Sequence, residues 1–98
     1  MVVGCVAKGI KAPKHYVSNN KTEYEIRNVL SEYECQVKHC RITDGCKYFA
    51  YVPLDKVCYL KKETALDALD HENGVIFGPM LCEGKFLSEL LFVLYDRN

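Results

Sequence analysis

At 98 residues the chain is one domain with room for a single modest core, close to the size at which burial alone leaves little stability. Thirteen basic and thirteen acidic side chains cancel, so no net field draws it to nucleic acid or anionic lipid. Its six cysteines, with no Cys-x-x-Cys pair, read as a disulfide framework of an oxidising compartment and set aside most cytosolic functions.

Met1 to Cys5 has neither a basic region nor an apolar stretch of signal-peptide length. A disulfide domain without an export signal is most simply an excised module, or an incomplete gene model, of something larger. No apolar run approaches the roughly 20 residues of a membrane-spanning helix. Gly9 to Asn20 reads as a strand broken by turns around Tyr16-Val17. Asn20-Lys21-Thr22 is a glycosylation sequon in this loop-like segment. Thr22 to Leu30 is compatible with helix.

Ser31-Glu32-Tyr33-Glu34 has the form of a capping box, in which the serine hydroxyl takes the third-residue amide and the glutamate reaches back to the serine amide. A helix therefore starts there, runs through Cys35 and Cys40, and stops before the turn signal Asp44-Gly45. Lys47 to Val52 and Val57 to Lys61 are aromatic and β-branched runs joined by Pro53-Leu54-Asp55-Lys56, a hairpin. Strand alternation sets Phe49 and Tyr51 on one face, with Cys58 and Leu60 together on the partner. If Cys58 bonds the helix, those faces look inward, and Tyr48, Tyr59 and Lys61 look outward. Lys62 to Asn73 resembles a short surface helix or structured loop ended by Asn73-Gly74. Val75-Ile76-Phe77 is a further strand, after which Gly78-Pro79 turns the chain so that Cys82 returns toward the N-terminus.

These pieces resemble the PAN/apple domain: Glu34-Cys35-Gln36 opening the helix, Cys40 and Cys46 six apart, Tyr48-Phe49-Ala50-Tyr51, Cys58-Tyr59-Leu60-Lys61, and Gly74 to Pro79 before Cys82. The last two pieces look more like the branch found in microneme adhesins of apicomplexan parasites than the vertebrate one. The resemblance covers residues 5–82. It implies an α+β class, a small disulfide-rich fold in which a curved antiparallel sheet packs against one helix. It also implies the pairs Cys5–Cys82, Cys35–Cys58 and Cys40–Cys46, a choice that sequence alone does not make. The family usually has three residues between its second and third cysteines, whereas here Gln36-Val37-Lys38-His39 makes four. One extra residue turns Cys40 by about 100° around an ideal helix. Either the helix carries a bulge, or it ends before Cys40, or the pairing differs locally.

Residues 83–98 form an apolar C-terminal extension, Phe86 to Tyr95, beyond the last family cysteine. It packs on its own domain, contacts a missing neighbouring domain, or reflects an error in the gene model.

Nothing calls for catalysis. Fully paired cysteines leave no thiolate, Ser18, Ser31 and Ser88 lie in no nucleophile-elbow sequence, and His15, His39 and His71 are scattered. Zinc would want a second short-spaced ligand pair beside Cys35, Cys40, His39 and Cys46, and Asp67, Asp70 and Glu72 follow no calcium-loop pattern, so no metal or other cofactor is expected. The expectation is a non-catalytic, secreted or secretory-organelle binding module of a larger adhesin. Tyr48, Tyr59 and Lys61 are its candidate contacts with a host-cell or extracellular glycoprotein or glycan, through ring stacking and hydrogen bonds to hydroxyls. The same residues also read as ordinary cross-strand pairs on a solvated face. Docking of sister domains in a secreted complex is the alternative. A heparin site built on Lys38, Arg41, Lys47 and Lys61 is a third reading.

Overall fold

The computed structural model describes Val2 and Val3 by their backbone and residues 5–82 in full; the C-terminal extension, residues 83–98, lies outside the described residues. In chain order the strands are β1 (Val2–Val3), β2 (Val6–Lys11), β3 (Glu25–Arg27), β4 (Tyr48–Val52), β5 (Val57–Lys61) and β6 (Asp70–Pro79). They form one antiparallel sheet in the order β1-β2-β6-β4-β5-β3.

The β4–β5 hairpin occupies the middle of the sheet, paired from Tyr48↔Lys61 to Val52↔Val57. Its turn closes with the Lys56 amide on the Pro53 carbonyl and with Lys56 in the left-handed region (φ 55°). The helix-compatible stretch after Thr22 gives only one turn, α1 (Lys21–Tyr24), and then becomes strand. Tertiary pairing overrides local propensity here, because β5 has an open edge and Glu25 to Arg27 fill it opposite Tyr59 to Val57. The strand β6 also departs from expectation. It continues past Asn73-Gly74, which the sequence reads as a terminus: β2 pairs with Asp70 and His71 before it and with Ile76 and Phe77 after it, while residues 72–75 bulge opposite Gly9. A register shift between Lys8 and Ile10 accommodates the irregularity, with Gly9 (φ 82°) and Gly74 (φ 88°) supplying the positive φ that other residues resist.

The helix begins at the capping box. The Ser31 hydroxyl accepts from the Glu34 amide at 3.1 Å, while the Glu34 carboxylate accepts from the Leu30 amide at 2.9 Å, one residue earlier than the box pattern anticipates. After one α-helical turn, α2 (Glu32–Glu34), the chain widens into a π-helical turn over Cys35–Cys40, in which the Arg41 amide donates to the Gln36 carbonyl five residues back. A π turn holds one residue more than an α turn. The additional residue between Cys35 and Cys40 is thus absorbed within the helix, the first of the three alternatives.

Three disulfides stitch these parts: Cys35–Cys58 ties the helix to β5, Cys40–Cys46 closes the helix end onto the approach to β4, and Cys5–Cys82 joins the start of β2 to the chain leaving β6. Buried Gln36 reinforces the last contact, its amide nitrogen donating to the Pro79 carbonyl at 2.9 Å and lying 3.3 Å from the Cys82 sulfur. The Tyr51 hydroxyl, buried with its ring, donates to the Val29 carbonyl and holds the loop before the helix.

Both faces of the sheet are packed. On the helix side lie Phe49, Tyr51, Cys58 and Leu60 with Cys35, Cys40, Cys46 and Val29. On the opposite side lie Tyr48, Ala50, Phe77, Ile10 and Val75, covered in part by a 3₁₀ segment, Glu63–Ala68, that inserts Ala65, followed by buried Leu69. Alternation along the hairpin is therefore as the sequence reads it, but the second face is not a solvated one. Tyr48 is only 9% exposed and stacks on Phe77 with ring centroids 5.4 Å apart, Lys61 is 3% exposed, and Tyr59 is half-buried. The outward placement of these three residues is corrected accordingly. For Tyr48 the cause is the segment from Lys62 onward, whose apolar residues pack down on the sheet instead of lying on the surface. For Lys61 and Tyr59 it is the loop following β2, which brings Lys14 and Tyr16 against them.

Candidate recognition cleft

Lys61 is the centre of the site. Position in β5 directs its side chain to the second face, where the loop following β2 crosses it: Tyr16 makes an isolated bridge to Lys61, the Val17 amide donates to the Leu60 carbonyl, and the Lys62 amide donates to the His15 carbonyl. Lys14 and His15 both adopt left-handed backbone (φ 61° and 56°), a conformation that costs energy for such residues and is held by these bonds. The Lys61 ammonium donates to the Lys14 carbonyl at 2.8 Å and stands 3.7 Å above the Tyr16 ring centroid, with the Tyr59 ring 5.9 Å away. Tyr16 in turn stacks on Tyr24 of α1 at 3.8 Å.

No carboxylate lies within ion-pair distance of Lys61 in the salt bridges among the described residues. Burial without a counter-charge pushes its pKa down to about 8. Burial also raises the phenol pKa of Tyr16 and of Tyr59, with Tyr24 adding to the first and Glu25 to the second. All three side chains line a cleft of about 630 Å³ on this face. Its floor includes Ala50, Val52 and Val75, and its rim carries Lys11, Glu72 and Asn73. Lys11 and Glu72 pair across the β2–β6 ladder at 3.1 Å, and Glu25 is neutralised by Arg27 at 2.8 Å. The arrangement offers apolar floor, aromatic edges, one buried cation and a polar rim, the mixture of surfaces that small-ligand clefts use.

Of the three residues proposed from sequence, the cleft brings together Tyr59 and Lys61 and leaves out Tyr48, which belongs to the core beside Phe77. Burial also takes Lys61 out of any basic surface patch with Lys38, Arg41 and Lys47; Lys38 itself pairs with Glu34 at 3.2 Å. Sequence reasoning missed Tyr16, Tyr24 and the Lys11–Glu72 pair. Tyr16-Val17 carried a signal as a short apolar stretch between turns, but nothing in one dimension announces that it crosses β5. Among the described residues no group of three His, Cys, Asp or Glu side chains is arranged to hold a metal ion.

A family model described as PAN domain matches residues 10–82. The chain belongs to the PAN domain family, whose apple-type members are binding modules rather than catalysts. Among solved structures it is similar to the solution structure ensemble of the two N-terminal apple domains of Toxoplasma gondii microneme protein 4, with a TM-score of 0.64 and 20% sequence identity. That match covers 85% of this chain and 47% of the other, so the chain spans about half of the two-domain structure. At this identity the likeness is one of fold. No curated protein matches the chain.

Proposed function

We propose that this domain is an extracellular or secretory-organelle recognition module, one unit of a larger multidomain adhesin, and that it binds a carbohydrate in the cleft around Lys61. The observation that carries the reading is the meeting of Tyr16, Tyr59 and the Lys61 ammonium over an apolar floor with a polar rim. A pyranose has the complementary surface, with C–H groups for an aromatic edge or an apolar floor and hydroxyls for an ammonium, an amide and a carboxylate. A microneme protein among the fold relatives and the disulfide framework agree with the setting.

Titration of the ¹⁵N-labelled domain with a panel of mono- and disaccharides, beside a glycan array, tests it. The expected result is saturable shifts at residues 11–16, 59–61 and 72–75. Rim variants at exposed Asn73 and at half-buried Lys11, Asn73→Ala and Lys11→Ala, which leave the core untouched, weaken binding several-fold. A silent array together with an unresponsive spectrum would remove the carbohydrate reading.

A second reading is docking of a sister PAN module. Leu54, at the hairpin tip, is 92% exposed and lines both the cleft and an adjacent apolar groove of about 540 Å³ with Gly9, Gly74 and Ile76. Self-association abolished by Leu54→Asp, or by removal of the residues after Glu83, favours assembly in size-exclusion chromatography. A monomer that binds cells favours adhesion.

A further inference from the structure

We propose that Asn20 is an N-glycosylation site, the acceptor of a preassembled oligosaccharide in the secretory pathway. The inference rests on the secretory setting argued above. Asn20-Lys21-Thr22 is the chain's only sequon, and all three residues are exposed. The folded geometry leaves the reactive atom uncommitted. The Asn20 side-chain oxygen accepts from the Thr22 amide at 3.1 Å and from the Thr22 hydroxyl at 2.8 Å, while no hydrogen bond among the described residues engages its amide nitrogen. Attachment at that nitrogen keeps the oxygen in place as the cap of α1. A glycan is therefore compatible with the finished fold and costs the domain no contact.

In the transfer the Asn20 nitrogen bonds to the anomeric carbon of an oligosaccharide carried on a polyprenyl diphosphate. The bond from that carbon to the diphosphate oxygen breaks, the amide gives up one proton, and the lipid diphosphate departs. Asn20 caps the start of α1, and Glu25, which caps its end, lines the cleft.

Structure also supplies a control that ordinary sequon variants lack. Lys21 is the first residue of α1, a position where proline is well tolerated, and Asn20 before it is already extended (φ −93°, ψ 113°), as a residue preceding proline must be. Lys21→Pro thus keeps both the asparagine and the threonine while blocking transfer, since a sequon excludes proline at its middle position. The experiment expresses the full chain behind a cleavable export signal in a eukaryotic host and reads intact mass, before and after peptide N-glycosidase, together with free-thiol content. Wild type is expected to carry one enzyme-sensitive glycan with the mark of enzymatic release at Asn20, and Lys21→Pro and Thr22→Ala none. Secreted, fully disulfide-bonded wild type of unmodified mass overturns the proposal and leaves the secretory reading standing. Retention of the chain with reduced thiols overturns both.

Discussion

A lysine side chain buried with no carboxylate partner is costly, and Lys61 bears that cost in exchange for fixing a strained loop through the Lys14 carbonyl and the Tyr16 ring. Its pKa, lowered from 10.5 to about 8 by burial, gives the cost a pH signature. Below pH 8 folded and unfolded chains both hold the proton, and the effect is constant. Between about pH 8 and pH 10 the unfolded chain still holds a proton that the folded chain has released, so stability rises with pH on this account. Urea unfolding of the protein and of Lys61→Met at pH 7, 9 and 10 should therefore show wild type gaining on the variant as pH increases. A gap that stays level or narrows would mean that Lys61 is solvated.

Individual elements are held by a few specific groups. Ser31→Ala removes the hydroxyl that accepts from the Glu34 amide, and the expected loss is about 1 kcal/mol in denaturant unfolding. Glu34, whose pKa is lowered by the Leu30 amide and then by Lys38, adds stability that is present above the usual carboxylate range and fades as acid protonates it. The helix should accordingly loosen first in acid, which amide exchange at Leu30 and Glu34 would report. On the same helix-facing side of the sheet, Gly78 lets β6 pass over Phe49: a Cβ there would stand 2.8 Å from the ring and 3.0 Å from Val6. Phe49 is fully buried and has nowhere to move. Gly78→Ala is expected to cost about 1–3 kcal/mol by overpacking, and an unchanged urea midpoint would contradict the close approach.

For the molecule as a whole the disulfides differ in reach, spanning 77, 23 and 6 residues of sequence separation. In the chain-entropy model the outermost bond restrains the unfolded chain by about 4.5 kcal/mol and the shortest by about 2. Paired alanine substitution of Cys5 and Cys82 should then destabilise more than that of Cys40 and Cys46, as judged by thermal unfolding. The reverse order would show that the short bond acts chiefly by keeping the π turn in shape.

The number of cysteines marked the class, and the capping box at Ser31, the Pro53 to Lys56 turn and the period-two run from Tyr48 to Lys61 made the helix start and the central hairpin readable without coordinates, because each of these last three is a local pattern whose energetics involve neighbours in sequence. What covers the second face was not readable in that way. The fate of Tyr48, the burial of Lys61, the strand at Glu25 to Arg27 and the passage of β6 through Asn73-Gly74 each depend on a partner far along the chain. The cleft belongs with these: it exists because Tyr16 crosses β5 and β2 pairs with β6, contacts between distant segments whose geometry arises only when the sheet assembles.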